Sequence, residues 1–264
     1  MTARLSDAEI HQFWTQQATE HQQSPAASWS DFRVIEMEVT EICKHLSDGD
    51  SVLDIGCANG FSSVQFARRR SIRLRGLDYV APMVEEARKR AQQSKDLKGT
   101  LEFDIGDITR LPEKDGSYDK AVVIRVLINL GNWERQRQGL HECVRILKRG
   151  GTLLLSEATL QGWERLNRLR AEWGLPHIAI PPFNEYLDQE KVVEELSGKM
   201  KLLEICNFAS TYYVGTRVLK PLFSKATNAP IDIADPNAEW NRWFSTLPAA
   251  GDYGTQKLFI FEKL

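Results

Sequence analysis

Short apolar runs alternate with helix-periodic stretches through the first half of the chain. Residues 51–55 form a compact apolar run, which a glycine-containing turn and a helix over about 62–70 follow. Further strands are predicted at 73–78, 100–104, 120–126 and 152–157, and further helices at 82–93 and 133–147. Strands that alternate with helices are typical of a parallel sheet covered by helices on both faces.

One helix face and one helix end can be predicted from local patterns. Ile35, Val39, Ile42 and Leu46 recur at spacings of four, three and four, which predicts one buried helix face before the first strand. Later in the chain, the run Arg149-Gly150-Gly151 has the composition of a left-handed C-terminal cap, so we expect the helix at 133–147 to end there.

The regular pattern lapses twice, over residues 158–184 and 227–254. Between and after these stretches we predict a helix at 185–196, a strand that begins at Met200 and a closing strand at 256–261. Long irregular stretches inside a compact domain are usually functional or disordered, and aromatic side chains disfavour disorder. We therefore expect two insertions that cover a substrate pocket. Their aromatic residues are Trp163, Trp173, Trp240, Trp243 and Phe244.

The amino-terminal segment, residues 1–31, is unusually aromatic for a polar leader. It contains Phe13, Trp14 and Trp29. Two arrangements are open for it: a helical lid that folds over a bound ligand, with Trp14 against that ligand, or packing against the edge of the sheet.

Composition narrows the class of protein. With 264 residues and 42% hydrophobic side chains, the chain is predicted to form one domain over residues 1–264. A net charge of -2 argues against nucleic acid as a partner. The four cysteines are widely separated and form no metal-ligand pattern, so we expect free thiols and no bound metal. No signal-peptide pattern and no long apolar run is visible, which favours a cytoplasmic protein without a membrane span; the oligomeric state is not predictable.

The strongest local motif is VLDIGCANG at residues 52–60, a buried strand that leads into a glycine turn and a helix. Gly56 and Gly60 allow the backbone to approach a ligand closely. A dinucleotide-binding enzyme would have G-x-G-x-x-G here. The chain has G-x-x-x-G, and Asp54 before it would repel a pyrophosphate but suits a ligand that carries an ammonium group.

Acidic residues also follow the next two strands. Asp78 ends the second strand, where a carboxylate can accept hydrogen bonds from both hydroxyls of a ribose. Asp107 follows the third strand, where it can accept from an adenine amino group while Ile108 packs on the ring; Asp after Gly is also a common turn residue. Together these residues indicate an adenosyl ligand.

In the order and spacing of these motifs the chain resembles the class I S-adenosylmethionine-dependent methyltransferases, closely over about residues 32–157. The motifs are VLDIGCANG at 52–60, GLDYV at 76–80, GDITRLP at 106–112, YDKAVVIRVLINL at 118–130 and LKRGG at 147–151. The resemblance implies a doubly wound α/β fold with strand order 3-2-1-4-5-7-6 and an antiparallel last strand. It implies S-adenosylmethionine as cofactor and S-adenosylhomocysteine as product.

The resemblance also assigns cofactor-binding roles. The glycine loop with Asp54 would hold the methionyl part, Asp78 the ribose, and Asp107 with Ile108 the adenine. The loop residues concerned are Gly56, Cys57, Asn59 and Gly60, and Tyr79 and Met83 would lie beside the adenosine.

Arg125, at the end of the fourth strand, has three open roles. It can contact the methionyl carboxylate, contact an acidic substrate, or form an ion pair with a nearby acid. No catalytic residue is identified. If an oxygen atom is methylated, a general base would help, and the candidates are Glu157, His177 and His11.

We therefore expect a methyltransferase that moves a methyl group to a small molecule by in-line displacement, with oxygen or nitrogen rather than carbon as the acceptor atom. The alternatives are an inactive methyltransferase-like module that binds the cofactor, and an NAD(P)-dependent oxidoreductase, against which the missing third glycine and Asp54 count. The acceptor itself is not identified.

Overall fold

The computed structural model describes residues 5–228 and 235–264. Its sheet has seven strands in the order β3-β2-β1-β4-β5-β7-β6. The strands are β1 (Ser51–Ile55), β2 (Arg73–Asp78), β3 (Thr100–Ile105), β4 (Tyr118–Ile124), β5 (Leu147–Ala158), β6 (Met200–Cys206) and β7 (Gln256–Lys263). Strands β1 to β5 pair in parallel, and β7 is antiparallel to both β5 and β6. The predicted fold class and strand order are confirmed.

Helices cover both faces of this sheet. They are α1 (Asp7–His21), α2 (Phe32–Cys43), α3 (Phe61–Arg69), α4 (Ala81–Gln93), α5 (Trp133–Ile146), α6 (Leu160–Glu172), α7 (Gln189–Leu196), α8 (Ser210–Val214), α9 (Lys220–Thr227) and α10 (Glu239–Thr246). Short 3-10 turns lie at Pro25–Ala27 and Leu127–Asn129, and a π-helical turn at Gly215–Leu219 joins α8 to α9. No helix in the described ranges is long and apolar enough to span a membrane.

The continuous apolar run of β1 follows from burial on both faces. Leu53 belongs to a core cluster with side chains of α5 and α7, whereas its neighbour Val52 packs in the cluster formed by α2, α3, α6, α8 and α10. A strand buried on both faces needs apolar side chains at successive positions. Because β1 lies in the middle of the sheet, the segment that follows it emerges at the centre of the carboxyl edge.

The expected cap at Arg149-Gly150-Gly151 is wrong. Helix α5 ends at Ile146, and β5 begins immediately at Leu147 rather than at Thr152. Gly150 does have a left-handed backbone, with φ +75°, but it lies in an irregularity where β5 pairs with β4. The extra residues of β5 form a bulge there. The conformational freedom of glycine serves this bulge, and not the predicted helix end.

Much of the stretch from 158 to 184 is helical, which the apolar pattern did not predict. Helix α6 begins at Leu160, and Thr159 is its N-cap, whose hydroxyl oxygen accepts from the Gly162 N–H at 3.2 Å. Two of its buried positions are polar: Asn167 and Arg170 donate to carbonyl groups of the following loop. A helix that buries hydrogen-bonded polar side chains lacks the apolar stripe by which helices are predicted.

The second predicted insertion, 227–254, includes residues 229–234, which lie outside the described residues. Its described part contains α10, an amphipathic helix whose Phe244 packs on the cluster around α2 and α8. Phe244 lies against Gly215 in the π-helical turn, where an added Cβ would lie 2.1 Å from the ring. The absent side chain therefore allows α10 to approach the α8–α9 segment.

Replacement of this glycine should destabilise the fold, although alanine is favoured over glycine in helices by about 1 kcal/mol. We expect Gly215→Ala to lower the free energy of unfolding by about 1–3 kcal/mol, since the new methyl group overpacks a buried ring. Urea denaturation measures the change. The cost should shrink in a Phe244→Leu background, and equal costs in both backgrounds would contradict this origin of the strain.

Candidate active site

A cavity of about 400 Å³ opens at the carboxyl edge of the sheet. Residues that follow four neighbouring parallel strands form one side of it: Gly56 after β1, Asp78 at the end of β2, Asp107 after β3 and Arg125 after β4. In a doubly wound sheet the carboxyl ends of the strands on either side of the switch in winding direction leave such a crevice. The structure thus brings these four predicted residues to one cavity.

Asp78 is a buried carboxylate that the backbone holds in place. One of its oxygens accepts from the Ala58 N–H and the other from the Val80 N–H, both at 2.9 Å. Burial raises the pKa of Asp78 to about 6, and these two hydrogen bonds partly offset that rise. Each oxygen keeps a second lone pair, so a carboxylate fixed in this way can accept from two hydroxyl groups of a ligand.

Beside Asp78, the cavity is lined by a further acidic residue, Asp107, and by several apolar side chains. The Oδ1 atom of Asp107 accepts from the backbone N–H and the hydroxyl of Thr109, both at 2.8 Å, so its turn geometry leaves Oδ2 available to a ligand. Ile108 and Met83 are buried side chains of the wall. Tyr79 also lines the cavity but is 39% exposed.

Within the glycine loop, only Gly56 and Ala58 line the cavity. Gly56 has φ +74°, and an added Cβ would lie 2.2 Å from a Val126 methyl group, so the loop and the segment after β4 approach closely there. Gly60 instead begins α3 and packs on α4, and Cys57 is buried in that same cluster.

Asp54 lies behind the cavity wall. It is buried and accepts from the Ser63 hydroxyl at 2.5 Å, which ties β1 to the first turn of α3. Burial raises the pKa of Asp54 to about 7, and the hydrogen bond from Ser63 lowers it in part. In this position Asp54 does not line the cavity but supports the loop that does.

Asn59 connects the glycine loop to the amino-terminal segment. Its fully buried amide donates to the Gln22 and Ser24 carbonyl oxygens, both at 2.8 Å. Arg90 strengthens this junction, because its guanidinium donates to the Gln23 carbonyl and to the Asn59 carbonyl. Asn59 therefore fixes the segment between α1 and α2 to the glycine loop and does not line the cavity.

Helix α1 lies over the cavity and contributes aromatic side chains to it. The Phe13 ring stacks on Phe183 with a centroid distance of 4.5 Å, and Trp14 meets the same ring edge to face at 5.9 Å. At its amino end α1 is held by an ion pair between Asp7 and Arg135. The aromatic contacts join the amino-terminal segment to the first insertion, 158–184.

Arg125 forms an ion pair, one of the three roles left open by its position. Its guanidinium donates to Glu38 at 2.6 Å and lies 4.7 Å from the centroid of the Trp29 ring. Glu38 is completely buried and also accepts from the Ser156 hydroxyl and from the Gln256 amide. Arg125 itself has φ +54°, an uncommon backbone conformation for a side-chain-bearing residue.

None of the three candidate bases lines the cavity. Glu157 is fully buried, and its Oε1 accepts from the Val126 and Leu127 N–H groups at 2.8 Å, which caps the turn after β4. His11 is exposed on α1 and packs against Tyr79, and the exposed His177 packs against Trp163. Glu157 thus stabilises a turn, and the two histidines form surface contacts.

Other cavity residues were not predicted. Tyr186 and Tyr213 line it, together with Thr255 and Gln256 at the start of β7 and Asn129 and Asn184 at the mouth. The aromatic content of 158–184 was the one sequence signal for this wall. Tyr186 lies two residues after that segment, and Tyr213 carries no local signal because its position depends on how α8 packs against the sheet.

Comparisons with known proteins agree with this geometry. Residues 52–151 match a family model described as a methyltransferase domain. The chain is 30% identical over 117 residues to methyltransferase GfsG of Streptomyces halstedii, covering 44% of this chain and 41% of that protein. It is 29% identical over 152 residues to the ubiquinone/menaquinone biosynthesis C-methyltransferase UbiE of Ruegeria sp. (strain TM1040), covering 56% of this chain and 59% of that protein. The chain thus spans less than two thirds of the length of either relative.

The fold is also similar to that of solved structures. One is the magnesium protoporphyrin IX methyltransferase of Synechocystis PCC 6803 with bound S-adenosylhomocysteine, at a TM-score of 0.57 and 16% identity, covering 90% of this chain and 87% of that one. At this identity the likeness concerns the fold.

Loss of the Asn59 hydrogen bonds should loosen the amino-terminal segment. We expect Asn59→Ala to increase hydrogen exchange of residues 5–30 about tenfold, because two hydrogen bonds of about 0.5–1.5 kcal/mol each are lost. Mass spectrometry of deuterium uptake measures this. Gln138→Ala is a matched control, since Gln138 also donates to a main-chain carbonyl, that of Thr109, which is not part of the amino-terminal segment. Equal uptake in both variants would show that Asn59 does not hold the segment.

Burial raises the pKa of Glu157 to about 8 from an ordinary 4.5. As the pH rises between these values, the unfolded chain loses this proton before the folded one, so the neutral carboxyl contributes stability that is lost toward pH 8. The Glu157→Gln side chain does not titrate, so the variant avoids this loss of stability. Its amide oxygen can still accept from the N–H groups of the turn after β4. Relative to the wild type, the variant should gain about 1–3 kcal/mol between about pH 5 and pH 8.

Urea denaturation at several pH values tests this dependence. Asp54 and Asp78 also have raised pKa values, but they are present in both proteins and cancel in the difference. The exposed Glu164 provides the control variant Glu164→Gln. Parallel pH profiles for the wild type and Glu157→Gln would contradict the prediction.

Proposed function

We propose that this chain is a class I S-adenosylmethionine-dependent methyltransferase that methylates a small, largely apolar molecule at an oxygen or nitrogen atom; its fold and the match of residues 52–151 to a methyltransferase domain support this. One observation carries the proposal. Gly56, Asp78 and Asp107 meet at a single cavity whose remaining walls are mostly apolar. That combination provides for an adenosyl ligand and for an acceptor beside it.

The residues fit the cofactor. Asp78 accepts from the ribose hydroxyls, Asp107 accepts from the adenine amino group, and Ile108 with Met83 packs on the ring. Tyr79 and Trp14 cover the adenosine from the side of α1. Bound S-adenosylmethionine supplies an electrophilic methyl group on a positively charged sulfur.

Arg125 belongs near the methionyl end, next to Gly56. Its charge is balanced by Glu38 at 2.6 Å, so it adds no uncompensated positive charge beside a sulfonium. Its nitrogen atoms other than the one that binds Glu38 can donate to the methionyl carboxylate. Glu38 thus holds Arg125 in a position from which it orients the cofactor.

On the acceptor side, the chain contributes mainly by aligning the acceptor atom with the methyl group and by excluding water. Among the described residues that line the cavity, the carboxylates are Asp7, Asp78 and Asp107, and all three lie toward the cofactor or the lid. The aromatic residues of α1 and the first insertion exclude water from the nucleophile. Holding a nucleophile in line and away from water contributes a large part of the rate in a displacement reaction.

The amino-terminal segment acts in this proposal as a lid, and residues 158–184 act as the substrate cap. Phe183 and Asn184 line the cavity, and Phe13 and Trp14 close over them. None of the described residues of 227–254 lines it, so the second insertion is not part of the proposed cap.

Calorimetric titration tests the cofactor. We expect saturable binding of S-adenosylmethionine and S-adenosylhomocysteine, and no binding of NAD. Asp78→Asn should weaken the binding of both about 10- to 100-fold, because a charge-assisted hydrogen bond to the ribose is lost. Asp104→Asn is the control: Asp104 lies on β3, is exposed and pairs with Arg75 and Arg88 outside the cavity.

Turnover separates the proposal from its alternatives. Incubation with methyl-labelled S-adenosylmethionine and a protein-free metabolite extract should transfer label to a small molecule. Cofactor binding without any labelled product would favour an inactive module. Binding of NAD alone would instead favour an oxidoreductase.

A further inference from the structure

Two tyrosines meet in the part of the cavity that the cofactor residues do not occupy. Tyr186 precedes α7 and packs against the core cluster on one face of the sheet, whereas Tyr213 lies on α8 in the cluster on the opposite face. Both line the cavity, and Tyr213 lies close enough to Tyr186 to influence its phenol electrostatically. Thr255, which directly precedes β7, also lines the cavity, and its side chain lies beside the Tyr213 phenol.

Tyr213 is held rigidly. The Arg217 guanidinium lies 4.7 Å from the centroid of its ring and is itself fixed by an ion pair with Asp31 at 2.5 Å. The Tyr213 side chain is buried, and burial raises the pKa of its phenol while the Thr255 hydroxyl lowers it in part. At neutral pH the phenol is therefore protonated, and its hydroxyl can both donate and accept a hydrogen bond.

Tyr186 has an available hydroxyl. No described side chain or main-chain group forms a hydrogen bond with it, although its ring is packed against the core. Burial and the neighbouring Tyr213 raise the pKa of Tyr186, so it too stays protonated. A part-buried hydroxyl without a partner inside a cavity is suited to bind a polar ligand atom.

The charges of the cavity favour an uncharged acceptor. Its two arginines are each paired with a carboxylate, Arg125 with Glu38 and Arg135 with Asp7. With the remaining nitrogen atoms of Arg125 assigned to the cofactor, a phosphate or carboxylate group on the acceptor would find no unpaired arginine or lysine among the described residues of the wall. Aromatic rings provide flat apolar surfaces instead, including Trp29 and Phe183.

We infer that Tyr186 and Tyr213 form a hydroxyl pair that binds the oxygen of an aromatic hydroxy compound, the acceptor of the proposed methyl transfer. This inference rests on the proposed function, since it names the substrate class of the same site. Two phenols can donate to and accept from one hydroxyl group, and the ring of the acceptor would lie against the aromatic walls. The pair would direct the acceptor oxygen and leave its body to apolar contacts.

The test compares two probes of similar size and shape, 2-naphthol and 2-methylnaphthalene, in calorimetric titrations of the protein loaded with S-adenosylhomocysteine. The wild type should bind 2-naphthol about tenfold more tightly, because only this probe can hydrogen-bond to the pair. Tyr186→Phe and Tyr213→Phe should each reduce the preference to about threefold or less and leave the affinity for 2-methylnaphthalene unchanged.

Tyr253→Phe is the control variant, because Tyr253 is 37% exposed and lies outside the cavity. An unchanged preference in both cavity variants, or a wild type that binds neither probe or does not distinguish them, would overturn the inference. Failure of S-adenosylhomocysteine to bind the wild type would contradict the proposed function instead. That result is separate, because loading is measured before either probe is added.

Discussion

The ion pair and hydrogen bonds of the buried Glu38 carboxylate are the interactions on which the site depends. A charge without water needs both hydrogen bonds and an opposite charge, and Glu38 has them from Arg125, Ser156 and Gln256. These partners stand at the ends of three neighbouring strands, β4, β5 and β7. Helix α2 is thereby fixed over the sheet edge, and Arg125 is held in a left-handed conformation that turns the chain after β4 toward the cavity.

The rest of the cavity follows from that attachment. Trp29 precedes α2 and covers the Arg125 guanidinium, so the segment before the helix is guided along the cavity wall. Helix α1 comes before this segment and is fixed by Asn59 at one end and by Arg135 at the other. The buried Glu38–Arg125 ion pair, the buried Asn59 amide and the surface ion pair of Arg135 therefore position this segment over the cavity, although α1 buries few apolar residues of its own.

The sequence predicts those parts of the molecule that local patterns determine. Strand order and the approach of Asp78 to Asp107 follow from parallel strands, whose carboxyl ends share one edge. Helix α6 was missed because its buried positions include Asn167 and Arg170. Glu38 and the paired tyrosines could not be found, because each depends on contacts between segments far apart in the chain and no spacing records such contacts.

The candidate bases show why residue type alone is a weak guide to catalysis. Glu157 has the right chemistry, but two backbone N–H groups occupy one of its oxygens and burial keeps it neutral near pH 7. A cavity with paired arginines, neutral phenols and aromatic walls does not depend on a strong base. In the proposed methyl transfer, its contribution would lie in orientation and the exclusion of water, and the acidity of a hydroxyl acceptor would then determine how readily its oxygen attacks.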